Sequence, residues 1–304
     1  MYYPILRGKQ FELIALRELS EVLDNKLFCP VIEPVRINTN PLKKTLEVLS
    51  KKGIKPFLII NPDVGNFIKK GENIAFFNDI SECSEMYTPC VKVNSLSDFD
   101  NIKSYSLELE DVAVFVSGSV DKNMLSCLHK AKCVLANREK IHPGALAQLN
   151  RVILYSDSFD KKNRNADYAE TSFFSTLHTE WKNYNGAIGF GDYTVLSQEY
   201  TEAGGPAYVV TIHLSYIDED SFYSMRVRHF SSYDDESPAN PGGKFKNALL
   251  NLCEFVEKNP NEFYLTSGLK EFIALKDSSF PGLGHVKKLS MKHHIETTCC
   301  YIGE

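Results

Sequence analysis

Phe28-Cys29-Pro30-Val31-Ile32-Glu33-Pro34-Val35 is an apolar, β-rich run holding one carboxylate, and a helix opens shortly after it at Pro41. Proline suits the first turn of a helix because its missing N–H would have no partner there. Read outward, the same unit recurs. Upstream, Tyr2 to Leu6 precedes a stretch in which Phe11, Ile14, Ala15, Leu19 and Val22 fall at helical spacing. Downstream come Pro56 to Asn61, Pro89 to Asn94, Val112 to Ser117, Cys133 to Asn137, Val152 to Asp157 and Ala187 to Tyr193. Ser97 and Asp98 are candidate caps for the helix behind the fourth run. A helix from about Ala166 to Tyr184 is expected between the seventh run and the eighth.

Strands alternating with helices mark parallel βα units, and eight of them predict an α/β fold, a (β/α)8 TIM-like barrel. The competing open sheet usually carries a glycine-rich phosphate loop after its first strand. Here that loop reads Arg7-Gly8-Lys9-Gln10, with one glycine. Past residue 193 the pattern changes. After a break at Gly204-Gly205-Pro206, Ala207 to Tyr216 and Phe222 to Phe230 alternate apolar and polar residues, as an antiparallel hairpin does. A polar loop, Ser231 to Gly243, reads as mobile or a lid. A helix from about Lys244 to Glu257 reads as the return helix of the eighth unit. Two C-terminal helices follow, split at Phe280-Pro281-Gly282-Leu283-Gly284. The expectation is a single barrel domain over 1–304, with strands within 1–193, a hairpin insertion after the eighth strand at about 204–232, and closing helices at about 244–304.

Composition narrows the class. Apolar residues make up 43%, charged residues 24%, and the net charge is −5, ordinary for a globular protein and no indication of nucleic-acid binding. No run approaches the roughly 18 apolar residues of a membrane span, and the opening residues show no signal peptide. A cytoplasmic protein without membrane attachment is expected. The eight cysteines lack CxxC and metal-ligand spacing, which points to reduced, mostly buried thiols.

In such barrels chemistry sits at the C-terminal strand ends. Those ends present Arg7 and Lys9, Glu33 and Arg36, Asn61 and Asp63, Lys92 and Asn94, Ser117, Asn137 and Arg138, Asp157 and Asp160, and Asp192 and Tyr193. Strand ends need polar residues in any case, so the ring as a set says more than its members. Glu33 stands out, because an unpaired carboxylate in an apolar strand is costly; Arg7, Lys9 and Lys92 are its candidate partners. Glu33, Asp157 and Asp192 are candidate catalytic carboxylates, and with Asp63 they are candidates to hold a divalent metal ion. Candidate ligand-binding residues are Arg7, Lys9, Asn61, Lys92, Asn94, Asn137, Tyr193, His213 and His229. The two histidines lie on the hairpin strands and are expected to project over the barrel mouth if those strands pair.

Gly189-Phe190-Gly191 ends a late strand, where barrels often bind phosphate; glycines there serve packing equally well. His293-His294-Ile295-Glu296 sits on a helix, and His293 and Glu296 share a face at a spacing of three. Lys287, Lys288 and Lys292 add local positive charge. No HExxH, GxSxG, P-loop or kinase signature is present.

Tyr3-Pro4-Ile5-Leu6-Arg7-Gly8-Lys9, the Pro30-Val31-Ile32-Glu33 strand, Gly189-Phe190-Gly191-Asp192-Tyr193, Gly204-Gly205-Pro206-Ala207 and Arg228-His229-Phe230 together resemble the "beta protein" family named from bacteriophage T4. The resemblance spans most of the chain through short motifs. It implies a barrel-like protein of phage-related or prokaryotic defence operons, with a protein partner from the same operon and no established catalytic residues. Three functions are expected to compete: binding of a small anionic ligand or partner protein, metal-dependent hydrolysis of phosphodiester or glycosidic bonds, and a non-catalytic scaffold for a partner nuclease. A binder closes its acids into ion pairs; an enzyme leaves them converging on a pocket.

Overall fold

The computed structural model describes residues 1–69, 71–202, 204–205 and 207–304. Strands β1 (Ile5–Leu6), β2 (Val31–Ile32), β3 (Phe57–Ile59), β4 (Thr88–Val93), β5 (Ala113–Val116), β6 (Cys133–Asn137) and β7 (Val152–Ser156) pair in parallel, each with the next. Strand β8 (Thr171–Ser175) leaves the series, and β9 (Ala187–Asp192) pairs with β7. The chain start closes the ring: Tyr3 N donates to Phe190 O at 2.8 Å and Phe190 N to Met1 O at 3.2 Å. The result is the expected nearly closed eight-stranded barrel. Helices α1 (Gln10–Leu19), α2 (Asn40–Lys51), α3 (Glu72–Ile80), α4 (Lys122–Leu128), α5 (Pro143–Leu146) and α6 (Leu177–Glu180) lie between its strands. After β4 a 3-10 stretch replaces the α-helix; its cap is Ser95, with Asp98 completing the capping box, so of the two expected caps Asp98 serves and Ser97 does not.

Burial explains why these strands read as continuous apolar runs. Alternate residues such as Ile5, Phe57, Ile59, Phe115, Leu135 and Ile153 fill one cluster. Their neighbours Leu6, Leu58, Val114, Val134 and Leu154 are also buried. A parallel strand covered on both faces needs apolar side chains at every position.

Closure depends on two glycines. A Cβ on Gly191 would stand 2.2 Å from Tyr3 O, and one on Gly189 would stand 2.4 Å from Met1 O. Close backbone approach accounts for Gly189-Phe190-Gly191. Gly191→Ala must therefore push β9 away from the chain start, at about 1–3 kcal/mol. Urea unfolding followed through Trp181, the single tryptophan, which stacks on Phe190 at 6.1 Å, measures that loss; an unchanged midpoint would refute this account of closure.

By contacts the chain divides into two compact units, residues 1–157 with 177–193 and residues 158–176 with 194–304. The second unit holds the expected hairpin, β10 (Thr211–Asp218) and β11 (Ser224–Ser231), antiparallel with His213 opposite His229. Its second strand starts at Ser224, because Phe222 and Tyr223 take left-handed conformations in the turn. The expected helix over 166–184 is not formed. Thr171-Ser172-Phe173-Phe174-Ser175 instead becomes β8 and pairs with β11, making a three-stranded sheet. Its aromatic and β-branched residues suit a pleated, half-buried surface. Helices α7 (Pro241–Lys258), α8 (Ser267–Ala274) and α9 (Leu283–Gly303) complete the unit. Ile212, Leu214 and Phe230 on one sheet face pack with Phe245, Leu249 and Phe272. The expected split between the last two helices is present. Pro206, in the expected break, lies outside the described residues.

All eight cysteines are free thiols. No helix among the described residues is long and apolar enough to cross a membrane.

Candidate functional site

The strand-end ring of the first unit is closed upon itself. Glu33 is 1% exposed. One of its oxygens takes the Lys92 ammonium at 2.9 Å and the other the Arg7 guanidinium. Lys92 also pairs with Asp63. Burial holds the Lys92 ammonium below its ordinary pKa, against the opposing pull of Asp63. Arg7 lies over the Tyr193 ring, 5.2 Å from its centroid. Asn61 donates to Lys92 O at 2.9 Å and accepts from Lys92 N at 2.8 Å, extending the β3–β4 ladder by a side chain. Asn137 accepts from the N–H groups of Glu139 and Lys140, at 2.9 and 3.2 Å, a local turn. The Tyr2 hydroxyl donates to Asp192 at 2.7 Å, both groups buried. Asp157 follows β7, near enough to Tyr193 to oppose its ionisation. Asn94 is exposed, and its backbone N–H donates to Asp98 at 2.7 Å. Among the described residues, no group of three or more His, Cys, Asp or Glu is placed to hold a metal ion.

Sequence reading missed Glu12 here. Its carboxylate, buried at the first turn of α1, accepts the backbone N–H of Arg7. Burial pushes it up to about 7, offset in part by that bond and by Lys9. The signal was available, since a glutamate three residues into a helix often bonds back to the chain before it.

The second unit holds a cleft of about 1010 Å³. Its cationic lining comes from Lys161, Lys162 and Arg164 after β7 and from Lys287 in the second turn of α9; its acids are Asp234 and Glu236. Four positive and two negative groups line it, and three more carboxylates stand on the cations. Exposed partners hold three of the cations: Glu199 on Lys161 at 2.8 Å, Asp160 on Lys162 at 2.6 Å and Asp167 on Arg164 at 2.6 Å. Such surface pairs contribute little, so a multivalent anion can displace them. The run Lys161-Lys162-Asn163-Arg164 was the sequence signal for this lining, and strand-end reasoning passed over it.

The inner wall is aromatic. His213 and His229, opposite each other in the sheet, share a hydrogen bond of 2.7 Å between their Nδ1 atoms. His229 Nε2 meets Ser172 Oγ of β8 at 2.9 Å. Tyr168 stacks on His229 with centroids 4.6 Å apart, and Phe159 sets its ring edgewise to His213 at 5.1 Å. Burial lowers His213 well below its ordinary pKa, His229 adding to the effect, and brings His229 to about 4; both are neutral at pH 7.

The loop expected as a lid is tied down. Lys244 of α7 is 0% exposed. Its ammonium donates to Tyr208 O at 2.6 Å and to Ser237 O, and pairs with Asp235 at 2.6 Å. Lys244→Met strips two carbonyls of a buried donor and is expected to cost about 2–4 kcal/mol. Proteolysis across 231–240 checks this: faster cleavage than in the wild type is expected, and equal rates would show the loop to be held by other contacts.

His293 and Glu296 share a face of α9, as their spacing implies, and both are buried. Thr266 Oγ1 stands 2.7 Å from His293 Nδ1 and Ser215 O is 2.8 Å from Nε2, while Glu296 accepts from Ser267 N at 2.9 Å and Gly268 N at 3.2 Å. A carboxylate at the start of α8 compensates the helix dipole and the unbonded N–H groups there. Lys288 and Lys292 are engaged by Glu271 of α8. These α9 residues are a structural lock.

No protein-family model matches the chain, and no curated protein matches it.

Proposed function

We propose that this protein is a binding protein whose ligand is a small multivalent anion, seated in the cleft of the second unit. The observation that carries the reading is the set of four cationic side chains lining that cleft, three of them held by exposed carboxylates that a more highly charged anion can displace. The closed state of Glu33 on Arg7 and Lys92 supports it too, since an acid–base or metal role asks for an accessible carboxylate. The partner expected from the family resemblance, a protein encoded in the same phage-related or defence operon, fits a role in which ligand occupancy is reported to another molecule.

Calorimetric titration with inorganic pyrophosphate at low salt tests the reading. Binding is expected, weakening with ionic strength as screened charges do. A Lys161→Gln, Lys162→Gln, Arg164→Gln variant is expected to lose about tenfold or more in affinity, with an unchanged melting temperature because the three side chains are on the surface. No binding at millimolar pyrophosphate, or equal affinity in the variant, would sink it.

A further inference from the structure

The cleft is lined by groups of two kinds, and the combination says what kind of anion it takes. Four cations line it, Lys161, Lys162 and Arg164 on the loop after β7 and Lys287 on α9. So do three aromatic rings, Phe159, Tyr168 and His213, the last two in contact with His229. A bare inorganic anion has no use for aromatic surface, whereas a planar ring gains dispersion and stacking energy from it. The volume of about 1010 Å³ lies at the upper end of small-molecule sites, ample for a ring joined to several charged groups.

The polar atom that His213 offers the cleft has an unusual property. Its Nδ1 is committed to His229 Nδ1, and His229 Nε2 to Ser172 Oγ. That leaves His213 Nε2 as the nitrogen a ligand can meet. The chain of three groups has two proton arrangements. In one, Ser172 donates to His229 Nε2, His229 Nδ1–H donates to His213 Nδ1, and His213 Nε2–H donates into the cleft. In the other, His213 Nδ1–H donates to His229 Nδ1, His229 Nε2–H donates to Ser172 Oγ, and His213 Nε2 accepts from the cleft. Each imidazole carries one proton in both, so the two arrangements have the same charge; passing from the first to the second releases the His213 Nε2 proton to the cleft while solvent returns one to Ser172 Oγ. A ligand edge that presents a donor or an acceptor is satisfied either way. Such edges belong to nitrogen heterocycles.

We infer, resting on the anion-binding reading, that the ligand is a nucleoside diphosphate or a close chemical equivalent. Its heteroaromatic ring lies on the Phe159–Tyr168–His213 wall with an edge nitrogen or oxygen at His213 Nε2. Its phosphates replace Glu199, Asp160 and Asp167 on Lys161, Lys162 and Arg164. His213 is then the residue that reads the ring, and His229 and Ser172 are positioning residues acting through it.

Calorimetry of the full chain with pyrophosphate, ribose 5-phosphate and ADP separates the parts. ADP is expected to bind about tenfold to hundredfold more tightly than either of the others, the usual value of stacking one base. His213→Phe, which keeps a ring and removes the nitrogens, is expected to weaken ADP about tenfold and leave pyrophosphate unchanged. ADP no tighter than pyrophosphate, or His213→Phe weakening both equally, overturns the ring assignment while leaving the anion cleft standing. Failure of all three probes overturns the cleft reading itself. Should His213→Phe not fold, the imidazole 15N resonances of the wild type serve instead. ADP, unlike pyrophosphate, is expected to shift those of His213 and His229 together, and no such shift overturns the inference.

Discussion

Glu33→Gln is expected to lower stability by about 3–5 kcal/mol, the usual cost of removing one partner from a buried ion pair. The carboxylate is 1% exposed and accepts from two cations, Arg7 and Lys92. Glutamine keeps the shape and removes the charge, so both cations remain in a poorly solvated place, and only Asp63 still neutralises Lys92. Lys92 already titrates below its ordinary value because of burial, so losing Glu33 is expected to move it further down. Urea unfolding measures the loss. Adding Lys92→Met to Glu33→Gln is expected to recover part of it, because the variant then buries one cation fewer. A double variant no better than the single one would mean that the cost comes from packing.

Acidification from pH 7 to pH 4.5 is expected to lower stability by about 3–6 kcal/mol. Burial brings His229 and His293 each to about 4 in the folded chain, from an unfolded 6.5, and takes His213 well below that unfolded value. Between pH 6.5 and 4 the unfolded chain therefore binds more protons at these sites. Their neutral-state stability is complete above 6.5 and drains away as the pH falls. His293 faces Thr266, Ser215 O and the edge of Phe263, with His294 adjacent in α9; His229 faces His213, Ser172 and Tyr168, with Asp160 and Lys162 near enough to act on its charge. Glu12 opposes the trend. Its folded value of about 7 lies above the unfolded 4.5, so it adds stability as the pH falls through 7. Urea midpoints at pH 7 and pH 4.5 give the net, and Glu12→Gln is expected to steepen the fall. A midpoint at pH 4.5 equal to or above that at pH 7 would contradict the buried neutral imidazoles.

The barrel was legible because its signal is local. Each strand is a short apolar run with a polar end, buried on two faces, and such runs are visible within a window of a few residues. The hairpin was legible for the same reason, through alternation from Ala207 to Tyr216 and from Phe222 to Phe230, and the strands formed are Thr211–Asp218 and Ser224–Ser231. Strand β8 was not. Thr171-Ser172-Phe173-Phe174-Ser175 is short and lies in a polar segment with helical composition on either side, and pairing with β11 decides its conformation. Glu33 was readable as a carboxylate needing a cation, since burying it alone is prohibitive.

The amino-acid sequence by itself determined the eight barrel strands, the hairpin after them, the two C-terminal helices and the need of Glu33 for a partner. Tertiary structure alone decided that the partners are Arg7 and Lys92, and that Ser172, His229 and His213 form one hydrogen-bonded chain. Lys92 and Glu33 stand 59 positions apart, and Ser172 and His229 stand 57 apart. Local propensity acts over one turn or one strand, whereas a contact between distant positions is fixed by register and packing, and no short window of sequence carries those.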